Sequence, residues 1–233
     1  MEQFPPTGSP SSVWPPPPSN TPDESQSLRI TLLMQYRSPV ALTRWMIGFV
    51  ATTVLLNISA VLVLLANPRR TSEAQDLTDI SNLPRLIAGI LFYVWIYRLY
   101  KNLTALSVHG LKSIPGIAVL MCMLPIVNLY QPVVIFGEIW RASASQASVV
   151  QAGGRWKAVP FAPIIVCWWI AYLLYSLVIA LNSRDVNSSS DPTSYLFIGL
   201  TSLISGILMI ILAVRLSRRE EIRHAEALTS LQV

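Results

Sequence analysis

Apolar residues in this chain gather in long uninterrupted runs; they do not recur every second position or every third to fourth. Trp45 to Ala66 holds 22 residues without Asp, Glu, Lys or Arg, Phe161 to Leu181 holds 21 and Tyr195 to Val214 holds 20. At about 1.5 Å of rise per residue, each run crosses the roughly 30 Å hydrocarbon layer of a bilayer as a helix. A fourth run, Leu86 to Tyr97, has only 12 uncharged residues between Arg85 and Arg98. It spans only if its helix starts at Pro84 and continues to about Leu106, which leaves Arg98 and Lys101 at the membrane edge, snorkelling or paired. A fifth, Ile114 to Trp140, is interrupted by Pro125 and Pro132, which flank Asn128 and Gln131. The pattern predicts an all-α polytopic membrane protein. Its transmembrane domain, residues 39–216, has four transmembrane helices at about 45–66, 84–106, 161–181 and 195–214. A proline-broken re-entrant or interfacial hairpin occupies about 114–140.

The flanks read differently. Eight of the 17 prolines fall in the first 22 residues. Residues 1–38 are therefore expected to be a disordered or polyproline-II tail. Within it, Trp14 with Pro15, Pro16, Pro17 and Pro18 is a docking strip for an aromatic-lined groove, or else part of a plain tether. Leu28, Leu32 and Tyr36 stand at helical spacing, so this stretch is expected to lie along the interface before Pro39 ends it. Gly137 to Gln151 reads as one small-residue helix stopped by the Gly153-Gly154 pair. Residues 217–233 read as a charged, solvated helical extension of the last span, with Arg219 and Arg223 in register with Glu220 and Glu221.

Composition agrees. At 52% hydrophobic and 12% charged, with mean hydropathy +0.50, the chain has about half the charge of a soluble domain. A cytosolic globular enzyme is nearly excluded. The net charge of +5 does not point to nucleic acid, because 14 of the 17 basic residues are Arg placed mostly beside apolar runs, where they act as orientation signals. If the broken segment crossed the membrane, the basic residues would divide 10 against 7; if it enters and returns on one side, 13 against 4. The positive-inside rule selects the second division, with both termini cytoplasmic. Anionic lipid headgroups are then expected neighbours of the basic face. Cys122 and Cys167 lie inside apolar runs without Cys or His at metal spacing, and read as small buried hydrophobes. No cleavable signal peptide is expected, since polar, Pro-rich sequence precedes the first run.

Three strings carry a family likeness: Trp95, Arg98, Asn102 and Leu103 as W-x-x-R-x-x-x-N-L; Pro125, Asn128, Leu129 and Pro132 as P-x-x-N-L-x-x-P; and Glu138, Trp140 and Ser143 as E-x-W-x-x-S. The stretch from Phe92 to Ser143 resembles the core of an uncharacterised family of bacterial membrane proteins, domain of unknown function 4328, over about Tyr36 to Leu216. The resemblance implies a bacterial inner-membrane protein with several transmembrane helices and a Pro-rich cytoplasmic N-terminus. It supplies no activity.

The costly polar residues supply the candidate site. Trp95, Arg98 and Asn102 fall at i, i+3 and i+7 on one helix face. A guanidinium there is costly unless it faces protein or water. Its expected partner is Glu138, the only acidic residue between Asp79 and Asp185, one turn before Arg141. A bidentate Arg98–Glu138 pair would pin the hairpin to the second helix, with Asn102 and Asn128 closing the network. This cluster of Arg98, Asn102, Asn128, Glu138 and Arg141 is a structural clamp, a half-membrane ion or anionic-ligand site, or a set of groups exposed at the headgroups without pairing. Asn57 reads as interhelical glue, and Thr201, Ser202, Ser205 and Gly206 as close packing on the last span. The aromatics Trp168, Trp169, Tyr172 and Tyr175 read as packing. No nucleophile, cofactor motif or metal cluster is present in the sequence. The expectation is a non-enzymatic interaction, scaffold or regulatory module with a protein partner or as a homo-oligomer. A small transporter or channel subunit is the alternative.

Overall fold

The computed structural model describes residues 22–182 and 192–231; the candidate docking strip Trp14 to Pro18 lies outside them. The described residues form helices and no strands: α1 (Pro22–Met34), α2 (Val40–Ala66), α3 (Thr71–Ala105), α4 (Pro115–Met123), α5 (Gln131–Ala142), α6 (Gln146–Gln151), α7 (Pro163–Asn182) and α8 (Pro192–Thr229). Short 3-10 turns stand at Val127–Leu129 and Trp156–Ala158. Helices α2, α3, α7 and α8 are long and apolar enough to cross a membrane. Leu55, Leu62, Leu86, Leu174 and Phe197 are exposed on their outer surfaces, which suits hydrocarbon and not water. The chain is an all-α polytopic membrane protein with four such helices among the described residues.

Helix α3 starts at Thr71, not at Pro84, and runs for 35 residues. The proline does not end it, because packing carries the helix through. Ala74, Ser81, Ala88, Trp95 and Asn102 are all buried at seven-residue spacing. They face α2, whose Thr43, Met46, Thr53, Asn57, Ala60 and Leu64 are buried in matching register. Two such stripes make an antiparallel coiled-coil-like pair, and the one hydrogen bond lost at Pro84 is small against that seam.

The broken segment is a helical hairpin. Its arms, 9 residues in α4 and 12 in α5, reach roughly 14 and 18 Å and cannot cross roughly 30 Å. Its two ends lie at the same end of the bundle, since the Lys112 N–H donates to Glu138 Oε1 at 2.8 Å. At its tip, the Leu129 carbonyl accepts from Trp169 Nε1 of α7 at 2.9 Å, so the backbone that the 3-10 turn leaves unpaired is covered by protein. The single helix expected over Gly137 to Gln151 is instead two. Ser145 caps α6 by accepting from the Ser148 N–H at 3.3 Å, and this local bond competes with continuation of α5. Gly153 and Gly154 do end α6. Both have positive φ, at +72° and +78°, and their N–H groups return to Val150 and Val149 as a Schellman motif.

The extension of α8 is also not solvated all round. Leu216, Ser217 and Glu220 are buried, continuing the spacing of Leu212 and Ala213 past the apolar run. Cys122 is buried, whereas Cys167 is exposed. In sequence of packing the spans form an open arc, α3 on α2, α2 on α8 and α8 on α7, while α3 and α7 do not pack along each other. The largest core lies at the end of the bundle that carries α1 and the charged end of α8, here called the terminal end. Trp95, Tyr100, Phe136, Ile139, Leu212 and Leu216 meet there without solvent exposure.

Candidate functional site

Two polar clusters lock the terminal end. In the first, Asn102 of α3 treats the elbow between α1 and α2 as a strand partner. Its Nδ2 donates to the Arg37 carbonyl at 2.9 Å, and its Oδ1 accepts from the Arg37 N–H at 3.3 Å. The same Nδ2 donates to Glu220 Oε2 of α8 at 2.8 Å. Around it, Trp95 Nε1 donates to Ser217 Oγ at 3.3 Å, and Ser217 Oγ lies 2.7 Å from Thr43 Oγ1. Ser38 and Tyr36 donate to Glu221, and the Tyr36 ring stacks on His224 with centroids 3.9 Å apart.

Glu220 is fully buried, and its Oε1 has no hydrogen-bond partner among the described residues. It stands six residues past Val214, beyond the apolar run. Burial holds its carboxyl well above the usual carboxylate range, and the charge of Glu221 adds to this; the Asn102 hydrogen bond opposes it. Burial also pushes the Tyr36 phenol above its ordinary value, with Glu220 and Glu221 acting the same way.

The second cluster ties the hairpin down. Glu138 Oε2 accepts from Tyr100 Oη of α3 at 2.6 Å, and Tyr100 Oη in turn accepts from the Ser113 N–H at 3.1 Å. From α8, Arg219 donates to the Trp140 carbonyl and Arg223 to the Ala144 carbonyl, each at 3.0 Å. These guanidiniums meet the negative end of α5, where cations are favoured. Arg219 also lies 4.0 Å above the Trp140 ring.

The structure therefore divides the sequence-predicted cluster. Arg98 is half-exposed and does not pair with Glu138; among the described residues the only ion pair is Arg70–Glu73. Glu138 ties the hairpin to α3 through Tyr100 instead. Asn102 belongs to the α8 cluster. Arg141 donates to the Val159 carbonyl at 3.1 Å and covers Phe161. Asn128 lines a separate cleft. The physical reason is angular: positions 98 and 100 point about 200° apart around a helix, and the interior direction at the end of α3 is that of Tyr100. Tyr100, Ser217 and Thr43 are absent from the sequence reading, which placed Glu220 on a solvated helix, whereas it is buried. The signal for Glu220 was available as the three-to-four spacing of Leu212, Ala213, Leu216, Ser217 and Glu220.

Toward the other end, Asn57 joins three helices: its Oδ1 accepts from Ser81 Oγ at 3.1 Å and its Nδ2 donates to Tyr175 Oη at 3.5 Å. On α8, Gly206 and Gly199 lie so close to α2 that a Cβ would stand 2.5 Å from Val54 Cγ2 and from Val61 Cγ2 respectively. Ser202 and Ser205 are buried, whereas Thr201 returns its hydroxyl to the Phe197 carbonyl at 2.6 Å.

The open arc leaves a cleft of about 840 Å³ between α3 and α7. Its aromatic lining includes Phe92, Tyr93, Trp168, Trp169 and Tyr172, with Arg85 and Asn128 among the polar groups. A second cavity of about 300 Å³ shares Asn82, Arg85, Tyr175 and Ile179 with it. A family model described as a domain of unknown function (DUF4328) matches residues 80–219. No curated protein and no solved structure matches the chain.

Proposed function

Because the chain belongs to the DUF4328 family, whose description carries no activity, we propose from its geometry that it is a non-enzymatic interaction or regulatory module of the bacterial inner membrane. The observation that carries this reading is the use made of the polar groups at the terminal end. Asn102, Glu138, Glu220, Arg219 and Arg223 are engaged in joining the α1–α2 elbow, the hairpin, α3 and α8 to one another. Side chains so engaged act as a latch, not as ligands for an ion in transit. What this end offers outward is charge: Arg37, Arg44, Lys101, Arg215 and Arg218 are exposed, and a basic rim of this kind suits anionic headgroups and acidic partner surfaces. With the hairpin returning to its own side, 13 of the 17 Lys and Arg lie at the terminal end or its flanks, which supports cytoplasmic termini.

Mild-detergent affinity purification from native membranes, followed by particle mass and identification of co-purifying chains, tests the reading. A stoichiometric foreign subunit is expected. A homogeneous homo-oligomer without a partner overturns it in favour of a small transporter, the reading favoured by one observation, the cleft that reaches Asn128 at the hairpin tip. Asn128→Leu in a liposome flux assay then addresses that alternative.

A further inference from the structure

The cleft between α3 and α7 faces the bilayer, because these two spans close no seam with each other and one lip is made by the exposed Leu86 and Ile90. At about 840 Å³ it falls within the roughly 300–1,000 Å³ range of small-molecule sites. Hydrocarbon is the solvent at its mouth, and an empty cleft would forfeit contacts along its whole aromatic wall. Room exists along its α3 side: a Cβ added at Gly89 meets nothing within 4 Å. Its deep end is closed by ring on ring, with Phe92, Phe136 and Trp168 at centroid separations of 5.3 to 5.8 Å.

The polar end differs in kind. The adjoining 300 Å³ cavity is lined by one cation, Arg85, and one anion, Asp79, with the amides of Gln75, Asn82 and Asn182. Arg85 is half-buried and Asp79 exposed, and neither lies within ion-pair distance of the other or of any other charged group among the described residues. A half-buried guanidinium at the edge of a span is costly without a counter-charge. A group carrying both a phosphate and an ammonium would meet both charges at once, with Tyr195 beside Asp79 in the same cavity, whereas a purely anionic group would meet Asp79 as a like charge.

We propose that the cleft and its polar annex hold one phospholipid with a zwitterionic, amine-bearing head, its phosphodiester on Arg85, its ammonium on Asp79 and an acyl chain along the aromatic wall. The site is apart from the basic terminal end and does not depend on the interaction reading above. Bidentate hydrogen bonding by Arg85 gives the phosphate its orientation, and Asp79 gives the preference between headgroups.

The test is native mass spectrometry of the full chain, delipidated in detergent and then offered ethanolamine, glycerol and choline phospholipids of identical acyl composition. Retention of one ethanolamine lipid is expected, at least tenfold above the glycerol lipid. Asp79→Asn should abolish that preference while leaving lipid bound, and Arg85→Gln should lower retention of all three. Gly89→Leu, whose Cβ meets nothing within 4 Å, puts a branched side chain into the cleft and should displace the lipid from a protein whose thermal stability is unchanged. Equal retention by wild type and Gly89→Leu would mean ordinary annular lipid and overturn the proposal. So would a wild-type preference for the glycerol lipid, failure to retain any lipid, or a dimer cross-linked through Gly89→Cys, which would show a second copy in the cleft.

Discussion

Glu220 has Arg218, Arg219 and Arg223 as near neighbours in sequence, yet pairs with none of them. Arg219 reaches the Trp140 carbonyl and Arg223 the Ala144 carbonyl, so the buried carboxyl is left with Asn102 as its donor. Asn102 of α3 donates to it, Glu221 of α8 and Tyr36 of the elbow act on it electrostatically, and none of them brings a positive charge. An acid whose folded pKa lies above its unfolded value binds more protons in the folded state. Its contribution is fully present below the ordinary glutamate range and is lost as pH rises through the folded pKa. The melting temperature in detergent should therefore fall as pH is raised from the ordinary glutamate range through the shifted one, and Glu220→Gln should flatten that dependence. A slope unchanged in Glu220→Gln would place the titration elsewhere. Asn102→Ala is expected to be worse at every pH. It strands the Arg37 peptide group and the Glu220 carboxyl together, at about 1–3 kcal/mol for each buried polar group left unmet.

Between residues and the whole molecule stand the elements, and here the hairpin is decisive. Its polar tie to α3 runs through one carboxylate, which gathers Tyr100 Oη and the Lys112 N–H. Hydrogen bonds to a charged group are worth about 1.5–3 kcal/mol. Tyr100→Phe should cost about that much in thermal or denaturant unfolding, and Tyr100→Phe with Glu138→Gln should show a coupling of about 1 kcal/mol or more. Strict additivity would mean that the two side chains act apart. The hairpin itself was legible: Pro125 and Pro132 inside an apolar run, and the gain in charge asymmetry when that run turns back, require it. Its tether was not, because choosing between Arg98 and Tyr100 needs the rotation of α3 about its own axis. That rotation is set by the seven-residue stripe from Ala74 to Asn102, whose first half lies before Pro84, where the sequence reading started the helix. The solvated reading of residues 217–233 failed for a related reason. Charge density was given more weight than the periodic burial of Leu216, Ser217 and Glu220.

For the whole molecule, the arc of four spans and the side to which the hairpin returns are one question, since a crossing hairpin would invert everything after it. The loop holding Arg69 and the short helix α6 ending at Gln151 lie on opposite sides if four helices cross, and on the same side if the Ile114 to Trp140 segment makes a fifth. Both residues are exposed, so a cysteine at either will report its compartment without disturbing a core. The background requires Cys122→Ala and Cys167→Ala, because Cys167 is exposed and would itself react. With a membrane-impermeant maleimide on intact cells, Arg69→Cys should label, and Gln151→Cys should label only after the membrane is opened. Labelling of both from outside would remove the 13-against-4 division of basic residues on which cytoplasmic termini rest. It would also contradict the bond between Lys112 and Glu138, which holds the two ends of the hairpin to one side of the membrane.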